Sequence, residues 1–428
     1  VLSGTSHWAL RPRILSDMRG AGEDLSVGER VAFYRRRRGL SQAVLAGLMG
    51  KSEDWVSKIE RGERQVNRID VVVELARQLR VTLNDLLGEP VLFEDEDDND
   101  DVPAVRDALM SPQRLSRTLF GDRLQPEYVD PEPVARVTEE AWNQYQHGKV
   151  GHVVSMLPGL IKSAQQLERG AAGRPNYARR AFAVSARIHH LAATTLSKIG
   201  EADLSWIAAE RSMQAADQSE DALVLASAAR AGTHALLAVG RFDEALSLGE
   251  TAARWMTPEL RDGNPGALSL YGMLYLRTAV AAARRQDRRT ATELLGQADA
   301  AAKRLGRDGN YWQTGFGPSN VELHRLSVAL DLGDVAHVVD RGQAVRPTHL
   351  PVERQVTHAI DVARALSMLA RDDEAVEVLL DAEQKSPQLV RHSSTVREVV
   401  RTVYRRAPVS NGASSPLLGL AERCRAVR

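Results

Sequence analysis

The chain has 428 residues, with 56 Lys and Arg balanced by 56 Asp and Glu, and 43% of it is hydrophobic. That length suits two or three domains with ample core, while the lone cysteine, Cys424, excludes a disulfide framework or a cysteine-built zinc site within one chain. No apolar run approaches the roughly 20 residues that cross a bilayer, and the opening VLSGTSHWALRPRILSDMRGAG lacks the apolar core of a secretory signal, so a cytoplasmic protein without membrane contact is expected.

Residues 1–27 read as a flexible extension. Between Gly28 and Leu87, twelve Lys and Arg stand against eight Asp and Glu, an excess of four positive charges hidden in the neutral total. Such local charge, not the total, decides affinity for nucleic acid. Arg35, Arg36, Arg37 and Arg38 close a first helix, where they can satisfy its last carbonyls; four adjacent cations also call for anions nearby, so phosphate contact is expected of at least one. Ser41 then caps a short helix to about Met49, Gly50 ends it, and Ser52 caps the next, with Glu53 and Asp54 in its first turn. Leu45, Met49, Val56 and Ile59 supply apolar contact between the two helices, and small Ala46 lets them approach, which describes a helix-turn-helix. Gly50-Lys51-Ser52 also ends a nucleotide-binding loop. That loop needs a glycine where Leu45 stands and a strand before it, whereas Leu40, Val44, Leu45, Leu48 and Met49 have helical spacing.

LSQAVLAGLMG, SEDWVSKIERGER and VTLNDLL, taken together, make residues 28–87 resemble the Cro/repressor (XRE) family of helix-turn-helix domains, with Lys51 and Gly47 as departures from its pattern. The resemblance implies a five-helix DNA-binding domain. Gln42 would contact a phosphate, Glu53, Asp54, Ser57 and Lys58 would reach base edges from the recognition helix, and Arg61 at its end joins the DNA-binding set. Lysine suits guanine acceptors and carboxylates the cytosine amino group, so a half-site containing G·C pairs is expected. For Glu53 and Asp54 the alternative is stabilisation of the helix dipole alone. Trp55 either braces the DNA backbone or covers the domain's core.

FEDEDDNDD (93–101) holds seven carboxylates in nine residues and stays solvated. Residues 88–132 therefore read as an acidic, proline-containing linker, a hinge or an anionic competitor for the basic face. From 133 to 407 the pattern is helix after helix, so the chain is expected to be all-α. Helix ends recur at Gly200, Gly240, Gln286, Gly333 and Arg371, with a degenerate earlier copy at Gly148. The unit GRFDEALSLGETA resembles a tetratricopeptide helical hairpin, which implies a helical-hairpin repeat superhelix with a concave binding surface. Residues 408–428 form a tail or a capping helix.

Within the array, GRDGNYWQTGFGPSNVELHRL (306–326) places aromatics in a glycine-rich connection and then starts a helix at Pro318. Asn320 and His324 share a helix face, as do Tyr271 and Tyr275. With Trp312 they form a candidate site for a peptide or small-molecule effector; the alternative is a packed loop over ordinary core tyrosines. No catalytic motif stands out, His189-His190 point to different faces, and neither enzymatic activity nor a cofactor is expected. The expectation is a bacterial transcriptional regulator that resembles repeat-bearing XRE regulators. It would act as a homodimer on double-stranded DNA with two half-sites. The alternative is a repeat scaffold tethered to DNA by its small domain.

Overall fold

The computed structural model describes residues 26–38, 40–66, 68–79, 81, 86, 102–111, 128–171, 173–345, 347–407 and 416–427. Among them the regular structure is helical, the only extended pairing being an isolated bridge between Gly309 and Phe316. They fall into two compact units, one from 1–66 and 74–89 and the other from 67–73 and 90–428. The extension up to residue 25, the acidic run 93–101 and most of VTLNDLL (81–87) lie outside the described residues.

The first unit contains α1 (Val27–Arg37), α2 (Gln42–Leu48), α3 (Glu53–Glu60) and, from Glu74 on, the fourth helix α4 (Ile69–Leu79). Each of the first three helices begins at a serine. The Ser26 hydroxyl accepts from the Glu29 amide while the Glu29 carboxylate accepts from the Ser26 N–H at 2.8 Å, a capping box. Ser41 and Ser52 accept from the Val44 and Trp55 amides at 3.1 and 3.2 Å. Gly50, at φ 61°, turns the chain out of α2, and the Lys51 N–H closes back on the Ala46 carbonyl at 2.9 Å. Leu45, Ala46, Val56 and Ile59 are buried in the seam between helices, and Trp55 is buried as a core residue. Gly28 lets α1 approach α3, since a Cβ there would lie 2.0 Å from the Ile59 carbonyl oxygen.

The second unit begins earlier than residue 133. Inside the stretch read as a linker, α5 (Val102–Leu109) buries Val102, Val105 and Leu109 in the core of the array. Arg106 pairs with Glu201 at 3.2 Å, and the Gln165 amide donates to the Ala108 carbonyl at 2.9 Å. The acidic run before α5 masks this helix in the composition, although Val102, Val105 and Leu109 share one helical face.

Six helical hairpins follow: α6 (Pro131–Gln146) with α7 (Val150–Gly170), α8 (Pro175–Lys198) with α9 (Ala202–Ser219), α10 (Ala222–Ala238) with α11 (Phe242–Trp255), α12 (Pro265–Arg284) with α13 (Arg288–Leu305), α14 (Pro318–Asp331) with α15 (Val335–Gly342), and α16 (Val352–Met368) with α17 (Asp372–Lys385). The reversals stand at Gly148, Gly200, Gly240, Gln286 and Gly333, with φ of 78°, 85°, 75°, 64° and 90°. In the last hairpin Ala370 (φ 58°) takes that conformation, one residue before the expected Arg371. After each turn an N–H reaches back five residues, as from Lys149 to Gln144, Arg241 to Leu236 and Arg371 to Leu366.

The array is tied end to end. Past the sixth hairpin, the Ser386 hydroxyl donates to the Gly148 carbonyl at 2.7 Å, and Gln388 of α18 (Pro387–Arg391) accepts from the Gly151 N–H at 2.6 Å. After α19 (Ser394–Arg406), α20 (Pro416–Arg423) folds back as a capping helix: Arg423 is bidentate to Glu383 at 2.7 and 2.6 Å. Arg397 donates to the Cys424 carbonyl, and the thiol beside it is buried.

Candidate nucleic-acid interface and the array cavity

The caps at Ser41 and Ser52 fix where α2 stops and α3 starts, and the apolar seam then decides which face of α3 is turned outward. Val56 and Ile59 point inward, leaving Glu53 and Asp54 exposed and Ser57 and Lys58 half-buried. Arg61 follows at the exposed C-cap of α3. Ion pairs tie this face together: Lys58 to Asp54 at 2.7 Å and Arg61 to Glu63 at 2.6 Å, with an Arg61 N–H also donated to the Ser57 hydroxyl. Exposed pairs of this kind contribute little in water and can be exchanged for contacts to a ligand. Arg36, Lys51 and Arg64 are exposed nearby in the same unit. A family model described as a helix-turn-helix domain matches residues 26–87. Residues 26–87 are a helix-turn-helix domain. No curated protein and no solved structure matches the chain.

Within the helix-turn-helix domain the arginine cluster does not act as one. Arg35, one of the four arginines of which at least one is expected on phosphate, is turned inward, a correction to its place in the DNA-binding set. It is 9% exposed and clamps Glu60 through Nε at 2.5 Å and Nη2 at 2.9 Å, with Nη1 donated to the Leu40 carbonyl at 2.7 Å. Gln42 was also expected on a phosphate, but it donates its side-chain amide to the same carboxylate at 2.7 Å. Glu60 therefore joins α1, α2 and α3. Burial pushes its carboxyl pKa up, but the hydrogen bonds from Arg35 and Gln42 and the arginine charge hold it below the usual value. Arg38 donates to the Gln78 carbonyl at the end of α4. Arg36 is left on the surface, and the Arg37 side chain lies outside the described residues. Glu60 was not singled out in the sequence, although its place in Ile-Glu-Arg-Gly, next to buried Ile59, put it at the edge of the seam.

In the array the five candidate effector residues do not converge. Asn320 is fully buried and donates its amide to the Thr314 and Gly315 carbonyls at 3.2 and 3.0 Å, pinning the loop before α14. His324 is buried, bonds the Asn320 carbonyl at 2.9 Å, and is held neutral first by burial and then by repulsion from Arg277 and Arg354. Tyr271 and Tyr275 stack edge to face at 4.8 Å and, with Trp312, pack on the cluster containing Met256 and Leu260. These placements suit the packed-loop alternative, because the groups meant to greet a ligand are engaged within the chain.

A cavity lies instead where the first helices of the hairpins face one another. Trp142 and Tyr145 of α6, His190 of α8, Arg230 of α10, Arg277 of α12 and Arg354 of α16 line it, and it is partly open to solvent. The glycine-rich loop contributes Gln313, which bonds Arg187 and Glu139, while Trp312 and Gln313 both sit in the left-handed region at φ 55° and 49°. Strained non-glycine residues of this kind persist only where surrounding contacts over-determine them. Arg187 also lies over the rings of Trp142 and Trp312, at 5.1 and 5.2 Å.

Arg230 and Arg277 interrupt ALVLASAARAGTHALLA and PGALSLYGMLYLRTAVAAAR, two of the most apolar helices of the array. A charge in an apolar helix interior needs a partner or a purpose.

Proposed function

We propose that the chain is a sequence-specific DNA-binding transcriptional regulator, with the helix-turn-helix domain docking α3 in a major groove and the array binding an effector and pairing two copies. The observation that carries the first half is the capped, rigidly seated α3, whose outward face holds Glu53, Asp54, Ser57, Lys58 and Arg61. One such helix gives few base contacts, so a homodimer on two half-sites about one helical turn apart, or a multiple of it, fits the reading. The effector half is supported by a cavity reached by the first helix of five hairpins, so that a bound molecule would bear on most of the array at once.

The test compares specific and random duplexes across a salt series, using sites recovered by genome-wide mapping. Lys58→Ala is expected to lose about 1–3 kcal/mol of discrimination, the worth of a well-placed base contact. Arg36→Ala is expected to weaken all duplexes alike and to lower the salt slope by about one ion. Equal loss on specific and random DNA for Lys58→Ala would remove its assigned role.

A further inference from the structure

We propose that the array cavity is a binding site for a small oxyanion, the phosphate or carboxylate of a compact metabolite, held by Arg230 and Arg277. Buried charges in proteins are paired, because an isolated ion loses its hydration without return. Arg230 is 8% exposed, and among the described residues no carboxylate pairs with it or with Arg277. The carboxylate that lines the cavity, Glu353, is already shared between Lys198 at 2.5 Å and Arg354 at 2.8 Å. Lys198, Arg230, Arg277 and Arg354 against that single carboxylate leave the cluster with three positive charges in excess.

The hydrogen-bonding inventory points the same way. Among the described residues, Nε of Arg230, Nε of Arg277, the Tyr145 hydroxyl and the Trp142 indole N–H are all buried without a partner, and all four residues line the cavity. The histidine beside them does not accept a share of the charge. Arg230 donates to His190 Nε2 at 3.2 Å, so the ring keeps its proton on Nδ1 for the Ser227 hydroxyl at 2.8 Å. His190 is thereby neutral, as its pKa, driven far down by burial and by Arg230, requires. Burial, and then mutual repulsion among the arginines, also pull Arg230 down to about 9, and Arg277 to about 10. Both stay charged at neutral pH, so the site offers donors and positive charge with no free carboxylate. That chemistry takes an acceptor-rich anion and rejects a cation. A planar guanidinium fork matches either a carboxylate or a phosphate.

As the effector site of a regulator this inference rests on the function proposed above; as an anion site it is measured without DNA, so either can fail alone. The full chain is titrated with sodium phosphate, sodium acetate and 3-phosphoglycerate at fixed ionic strength, following melting temperature and tryptophan fluorescence. A saturable rise in melting temperature is expected with at least one of these anions, and Arg230→Met or Arg277→Met should weaken half-saturation about 10-fold or more. Arg289→Met, which removes an exposed arginine paired with Glu293, should leave it unchanged. Without added anion the two Met variants should melt no lower than the parent, because each removes one of several repelling charges; purely structural arginines would melt lower. Should either variant fail to fold, Tyr145→Phe removes one donor at constant shape and is expected to weaken the same half-saturation. Tighter binding of 3-phosphoglycerate than of phosphate assigns a metabolite with a body, and equal binding assigns the free ion. No saturable response to any of the three, or a response kept by every folded variant, would overturn the proposal.

Discussion

Glu60→Ala separates two roles for the arginine cluster. The carboxylate accepts three hydrogen bonds, from Arg35 Nε at 2.5 Å, Arg35 Nη2 at 2.9 Å and Gln42 Nε2 at 2.7 Å. The two charged side chains are only 11% and 6% exposed. Removing one partner of a nearly buried pair leaves the other charge unsatisfied, at a cost of about 3–5 kcal/mol when burial is complete. The Leu40 carbonyl still holds one Arg35 nitrogen, so about 3 kcal/mol is the working figure. That is on the order of a 100-fold rise in the opening equilibrium of α1–α3. Hydrogen exchange of peptides covering 27–60 in the full chain reads it directly, with peptides from α9 and α10 as the unaffected reference. Unchanged protection over 27–60 would refute the brace. Arg35→Met completes the test: it should loosen the same peptides, whereas a phosphate-contacting Arg35 would weaken DNA binding with protection intact. The pH dependence follows from the sign of the shift. The folded carboxyl of Glu60 lies below its unfolded value of about 4.3, so its contribution is fully present above that pH and is lost as pH falls through the folded value. Glu60→Gln should abolish this acid step.

Three further outcomes are expected of the array. Asn320→Ala frees two loop carbonyls and should lower stability by about 1–3 kcal/mol in thermal or denaturant unfolding; an unchanged midpoint would mean that the loop is held elsewhere. Gly272→Ala would put a Cβ 1.9 Å from Cζ of the fully buried Phe316, costing about 1–3 kcal/mol of overpacking, and Phe316→Leu in the same chain should return part of it. Cys424, buried and with its thiol pushed up to about 12, should resist aromatic disulfide reagents in the folded protein and react on unfolding; rapid labelling of the native chain would place the capping helix away from α17 and α19.

What could be read from the sequence was what neighbours along the chain determine. Ser41, Ser52 and Gly50 marked the helix-turn-helix because caps and left-handed turns act within four residues, and the same logic located the array's turns. Ala370 escaped because nothing in an alanine advertises a positive φ. Features set by distant partners were hidden. The carboxylate of Glu60 is 25 residues from Arg35, and Asn320, chosen for a polar face, was claimed by a loop only a few residues away whose path no periodicity reveals. The cavity drew its arginines from separate hairpins, each looking like an isolated exception in its own helix.

The bonds from Ser386 to Gly148 and from Gln388 to Gly151 span 238 and 237 residues. A linear stack of hairpins is held only by contacts between neighbouring units, so it can fray from its ends. A stack whose last unit grips its first has no such ends, so denaturant should find a single cooperative transition in place of progressive peeling. The same long-range clasp must wait for nearly the whole array to be made, which places a late, slow step in refolding. Both terminal hairpins also wall the cavity, through α6 and α16. Truncation at either end would thus empty the binding site and release the clasp in one stroke.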